Sequence, residues 1–305
     1  MRSYALRSIV LLASTSGMVS TPLAAEEPEK VDLRPSSAWQ LNMAETNCRI
    51  GRFFGEGEKP TVFYLEQWNP SEHADWLVAG PALDTFRVKR DMNFAFGPGG
   101  DRSEFEVMKA TLGDIGTAMS SSSTIVPNDG LGSGVEGSDV SDEPRGFPTL
   151  DSAGAKRINT FTLSQEGRPD LNLFLGDMEA PLAAMNACMK NLVESWGFDA
   201  AEQATVQTPP VILNLPKVAG KVQQFYPQKA LVKGGQANFM LRLTVSETGK
   251  MEDCFLVNQT LADDFDMKKH PCEAFRQFAE FEPARDAAGE PIRSYYVTRI
   301  AYRMP

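Results

Sequence analysis

The chain has 305 residues, 42% of them hydrophobic and 23% charged, a balance that excludes a disordered or multi-spanning polypeptide and leaves room for two domains. Without Arg2 and Arg7 of the leader described next, 28 basic residues face 40 acidic ones, a formal charge of −12. Nucleic acid, whose phosphates favour a basic footprint, and anionic lipid are therefore poor partners.

Residues 1–25 read as an export signal. Arg2 and Arg7 make a positive start, Ile9 to Ala13 an apolar centre, and "LAA" before Glu26 a small-residue cleavage site. Ser and Gly residues dilute the apolar stretch below the ~20 residues that a spanning helix needs. The expected product is a periplasmic chain beginning near Glu26. An uncleaved leader would instead hold it at the inner membrane.

From Ser36 to Phe96 short alternating runs, "AWQLNMAE", "CRIGRFFG", "TVFYLEQW", "DWLVAG", "FRVKRD" and "MNFAFG", are separated by turn residues, the pattern of antiparallel strands. "FEVMKATL", "INTFTLSQ" and "LNLFLG" add candidate strands. Residues ~119–148, rich in Ser, Gly, Pro and acids, are expected to form a mobile loop. In "EAPLAAMNACMKNLVESWGFD" the rhythm changes: Leu182, Met185, Met189, Leu192, Val193 and Trp196 recur at helical spacing, and Gly197 is placed to stop the helix. This helix closes a β-rich domain over 26–206. A Pro-containing linker at 207–216, within "QTPPVILNLPK", then precedes a second domain over 217–305.

Catalytic patterns are weak. Gly132, Gly134 and Gly137 match G-x-G-x-x-G without the preceding strand or following helix that a phosphate site requires, and the match reads as flexible linker. His73 and His270 stand apart with no nucleophile motif beside them. Asp263, Asp264 and Asp266, followed by Lys268 and Lys269, read as capping and solvated charges. No enzyme, cofactor or metal is predicted. The four cysteines form an even set in an exported chain, which favours disulfides over buried free thiols. Cys254 and Cys272 lie in one C-terminal segment and are paired on that ground, leaving Cys48 for Cys188.

After the linker, "KVQQFYPQKALVKGG" suits a broken short helix, and "QANFMLRLTV" alternates into a Gly-containing turn before "MEDCFLVNQT", a hairpin. "PCEAFRQFAEF" sets Ala274, Phe275, Phe278 and Phe281 at helical spacing, and "RSYYVTRIAYR" supplies a third strand. Its Tyr296, Thr298, Ile300 and Tyr302 share the expected core face; Tyr295, Val297, Arg299, Ala301 and Arg303 share the other. The expected fold class is α+β: a mostly antiparallel β domain with a closing helix, then three antiparallel strands with short helices.

The order and spacing of "YPQKAL", "LTVSETGKMEDC", Cys272 before a short helix, "FEPARDAAGEP" and a final Tyr/Arg-bearing strand resemble the C-terminal domain of the TonB family over residues ~217–304. The resemblance supports the Cys254–Cys272 pairing. It implies a domain that binds a segment of an outer-membrane receptor by adding an extended strand to its sheet edge, here along Tyr295, Val297, Arg299, Ala301 and Arg303. It also sets the alternatives: a periplasmic binding or adaptor protein, a membrane-retained energy transducer for outer-membrane transport, or a structural envelope protein that forms a homodimer through the same edge.

Overall fold

The computed structural model describes residues 30–87, 91–97, 107–125, 147–224, 226–261 and 271–302. The leader, the glycine motif at 132–137, Asp263, Asp264, Asp266, His270, Arg303 and most of the expected loop, residues 126–146, lie outside the described residues.

Period-two runs become strands where at least one flank finds a backbone partner. Strands β1 (Lys30–Leu33), β2 (Gln40–Met43), β3 (Cys48–Phe54), β4 (Thr61–Gln67), β5 (His73–Ala79), β6 (Asn93–Phe96), β7 (Met108–Leu112), β8 (Gly116–Thr124), β9 (Thr160–Ser164) and β10 (Asp170–Phe174) divide between two sheets. One sheet runs β2-β3-β4-β5-β8-β7 and the other β1-β10-β9-β6. Pairing is antiparallel except between β1 and β10, so the N-terminal part is mostly antiparallel β.

Alternation explains why the two sheets close on each other. Ile50 on β3, Phe63 and Leu65 on β4, and Trp76 and Val78 on β5 share one core with Phe94 and Phe96 on β6, Phe161 and Leu163 on β9, and Leu171 and Leu173 on β10. The rings interlock: Trp76 lies 4.8 Å from Phe94 and 4.9 Å from Phe161, and Phe63 lies 5.2 Å from Phe161. Helix α1 (Glu179–Ser195) buries Leu182, Met185, Met189, Leu192 and Val193 of the stripe read from its sequence, with Cys188 beside them, and ends at the half-buried Trp196. Asp177 accepts from the Glu179 amide at the helix start, and Gly197, at φ 83°, ends the helix in a left-handed turn. A Cys48–Cys188 disulfide ties α1 to β3.

A short helix α2 (Ala200–Gln203), capped by the Asp199 side chain, leads into the C-terminal part. There follow β11 (Val206–Thr208), β12 (Val211–Ile212), α3 (Leu215–Gln223), α4 (Gln228–Lys233), β13 (Ala237–Val245), β14 (Met251–Leu261), α5 (Cys272–Phe278), β15 (Phe281–Glu282), β16 (Ala284–Asp286), β17 (Pro291–Ile292) and β18 (Ser294–Tyr302). The main sheet is antiparallel with order β14-β13-β18. Its inner face, Phe239, Leu241, Leu243 and Val245 on β13, packs with Val218 and Val222 of α3 and Ala274 and Phe275 of α5 in a second core. A second disulfide, Cys254–Cys272, fastens α5 to β14. The chain is thus α+β throughout.

Four segments depart from their sequence pattern. Residues 119–124, expected within the loop, belong to β8, where β5 pairs along the whole Ser-rich run and β7 adds a second partner at Met119 and Ser120, supplying the order that its side chains do not. In "FRVKRD", Phe86 and Arg87 form no strand: the Gln165 amide bonds both the N–H and the C=O of Arg87, taking the place of a ladder partner, while Phe86 fills the core. Phe281 leaves the helix, since α5 ends at Phe278 and β15 pairs with β12. The Pro-bearing stretch is extended but paired, β11 with β16 and β12 with β15.

Phe161 meets Phe63, Trp76, Phe94 and Phe96 and is fully buried. Phe161→Ala is expected to lower stability by about 3–5 kcal/mol, the usual cost of such a cavity, measured by urea unfolding of the oxidised protein.

Candidate functional site

The last strand owes its form to Tyr295, Tyr296, Val297, Thr298 and Ile300, residues that suit a pleated, half-buried surface. It pairs with β13 at nine positions, from Ala237↔Tyr302 to Val245↔Ser294. β13 is therefore saturated on both sides, and β18 stands at an end of its sheet among the described residues. Its outer backbone carries N–H and C=O groups in strand geometry.

Each face of β18 is fixed differently. Towards the helices, the Tyr302 hydroxyl donates to the Val222 carbonyl at 2.7 Å, and its ring lies 4.9 Å from Tyr226 and 5.8 Å from Phe239. Tyr226, from the "YPQKAL" motif, donates in turn to the Gly235 carbonyl. On the opposite face Tyr295 sits between Trp196 and Phe198, 5.3 and 5.5 Å away, at the end of α1. Burial raises the Tyr295 phenol far above its ordinary range. Val297 is half-buried across from Arg242 on β13, Arg299 approaches Asp75 of β5 at 3.7 Å, and Ala301 is exposed. Of the five residues set on this face by sequence, Tyr295 is thus taken up by contacts with α1, and Arg299 and Ala301 remain exposed.

The start of β18 is tacked to the segment after α1. The Ser294 hydroxyl donates to Gln203 Oε1 at 2.6 Å, and Gln203 Nε2 donates to the Arg293 carbonyl at 2.7 Å. Arg293 donates to Glu252 Oε2 at 2.7 Å and to the Gly197 carbonyl at 3.2 Å, with its guanidinium 4.7 Å from the Phe198 ring centre. No local pattern marks Gln203 or Arg293 for this role. Trp196 was legible only as part of the helical stripe.

Other titratable groups lie away from this strand end or serve structure. Glu66 is buried and accepts from Asn47 and from Arg49; burial raises its carboxyl and the Arg49 bonds oppose the rise. His73 is exposed at the start of β5. Among the described residues no group of three or more His, Cys, Asp or Glu side chains could hold a metal ion, and no helix is long and apolar enough to cross a membrane.

The family model for the Gram-negative bacterial TonB protein C-terminal matches residues 222–304. One solved structure is similar in sequence at 18% identity: the solution structure of the Helicobacter pylori TonB C-terminal domain, of which 80% is covered against 30% of this chain, with a TM-score of 0.21. No curated protein matches the chain. The matched residues contain the three-stranded sheet and both disulfide-bonded cysteines of the C-terminal part.

Burial pushes the Tyr302 phenol up to about 12. The fold holds it neutral, so its contribution is complete below the ordinary value near 10 and is lost as pH rises from there through about 12. Tyr302→Phe, which loses the bond to Val222, is expected to cost about 1 kcal/mol at pH 8. Urea unfolding at pH 8 and at pH 11 should show that deficit shrinking at the higher pH.

Proposed function

We propose, from the TonB C-terminal domain that residues 222–304 form, that the chain is a periplasmic binding or adaptor protein whose last strand receives an extended segment of an outer-membrane receptor. The observation that carries this reading is the position of β18 at the end of its sheet, with the neighbouring strand β13 already paired on both sides. Strand addition would draw affinity from backbone bonds and selectivity from alternate side chains. Arg299 and Ala301 are the exposed residues along that strand and would meet the incoming segment.

The same reading divides the chain into a leader at 1–25, a β-rich domain at 26–206, a linker at 207–216 and a receptor-binding domain at 217–305. Two separate buried cores, one built from the two N-terminal sheets with α1 and one from the C-terminal sheet with α3 and α5, support that division. The N-terminal domain would act as a rigid base: it grips the face of β18 through Trp196 and Phe198 and leaves the backbone edge for a partner.

Two measurements test the reading. Receptor-derived segments of about ten residues, titrated against the full exported chain, should bind, and N-methylation should matter by position. At the alternate residues whose N–H groups face β18, methylation should weaken binding at least about tenfold, the scale of lost backbone bonds, and at the intervening residues by much less. Equal effects at both sets would defeat strand addition. Arg299→Ala should weaken binding by no more than about threefold, since its pair with Asp75 is exposed and worth little. Cell fractionation should recover a processed, soluble periplasmic product; full-length protein that resists a salt wash of the inner membrane would favour a membrane-retained transducer instead.

A further inference from the structure

The outer face of the C-terminal sheet carries a charge that the fold does not neutralise. Arg242 lies on the middle strand β13, directly across from Phe255 on β14 and Val297 on β18. Its guanidinium is held between two rings, 4.1 Å from the centre of Trp196 and 4.8 Å from that of Phe255. Among the described residues no carboxylate pairs with it, and its Nη1 is buried without an acceptor; so is the indole Nε1 of Trp196 beside it. Burial pulls the guanidinium down to about 10, and Asp253 opposes that only through space. Stacking on rings offsets part of the desolvation of a cation but satisfies none of its N–H groups.

Arg242 and Trp196 both line a cleft of about 450 Å³ between the β2–β3 turn, the end of α1 and the C-terminal sheet. Its walls are Met43, Ala44, Glu45, Ser195, Trp196, Arg242 and Phe255. We propose that this cleft binds a single carboxylate borne on an apolar body, held by Arg242 and Trp196 with the apolar part against Met43, Ala44 and Phe255. A carboxylate accepts from two donors at once and is matched by a guanidinium. The exposed Glu45 disfavours a dianion such as a phosphate monoester, and a ligand without an apolar part would leave the Met43 and Phe255 walls unused. This site lies on the sheet face, apart from the backbone edge of β18, and does not depend on strand addition.

The carboxylate could end a peptide or a small aliphatic acid, and three probes separate the two. Acetyl-Ala-Ala-Phe with a free C-terminus, its C-terminal amide, and octanoate are titrated against the full exported chain, followed by the four indole N–H resonances, with that of Trp196 assigned from Trp196→Phe. A saturable downfield shift of the Trp196 resonance with the free acid and not the amide supports a peptide C-terminus. The same shift with octanoate alone supports a small acid. Arg242→Gln should weaken whichever probe binds at least about tenfold, as expected for loss of a charge-assisted bond. Should that variant fail to fold, Glu45→Gln, at an exposed position, should strengthen binding about threefold by removing a repelling charge. Absence of saturable binding by both acids, equal binding of acid and amide, or unchanged affinity in both variants overturns the proposal.

Discussion

A three-stranded sheet has two faces and two edges, and the C-terminal part of this chain is organised by how each is treated. One face must be covered because Phe239, Leu241, Leu243 and Val245 alternate onto it, and α3 and α5 cover it. Leaving four such side chains in water would forfeit roughly 1.5–3 kcal/mol each. The other face carries Arg242, Tyr295 and Val297 and is met by Trp196 and Phe198 at the end of α1. The β14 side is fastened to α5 by the Cys254–Cys272 bond. The outer backbone of β18, at the opposite end of the sheet from β14, carries no such tie among the described residues.

The first body makes that arrangement rigid at its origin. Trp196 follows directly on the last residue of α1, and α1 is bound to β3 both by its buried stripe and by Cys48–Cys188. That disulfide closes a loop with a sequence separation of 140, so in the chain-entropy view it constrains the unfolded chain by about 4–5 kcal/mol; the bond spanning 18 residues contributes roughly 3. The longer bond fixes the helix that presents Trp196, and the shorter fixes the helix that covers the inner face of the sheet. Each cysteine pair therefore supports one side of the same sheet.

Much of this was legible because local pattern and tertiary demand agree. Alternation in "TVFYLEQW" and "QANFMLRLTV" and the helical stripe around Cys188 each name one buried face, and each of these segments buries it. Where the fold departs from pattern, the decisive partner is distant in sequence. Ser120 to Thr124 become strand because β5 pairs with each of them, and Arg87 is held by the side chain of Gln165, 78 residues away. β1 depends on a distant partner in the same way: its pairing is parallel to β10, and nothing within Lys30–Leu33 announces it. The strand at the chain's end was visible, as was its division into two faces. Sequence gave no sign that Tyr295 would be enclosed by Trp196 and Phe198, because period two assigns a side chain to a face without saying what that face meets.

Arg242 shows the same limit in its sharpest form. In "FMLRLTV" it reads as the polar alternate of a half-buried strand, the position where an arginine ordinarily reaches water. Apposition of Trp196 at the end of α1 takes part of the guanidinium out of water and sets it between that ring and Phe255 of β14, which attract the cation without accepting its hydrogen bonds. An aliphatic side chain there would pack between Trp196 and Phe255 with no charge to desolvate, and replacing buried charge by apolar groups is often neutral or stabilising. The arginine is thus not explained by stability of the fold alone. Its presence fits a surface that meets an anion, and the acidic balance of the remaining chain makes such a cation the more selective for one.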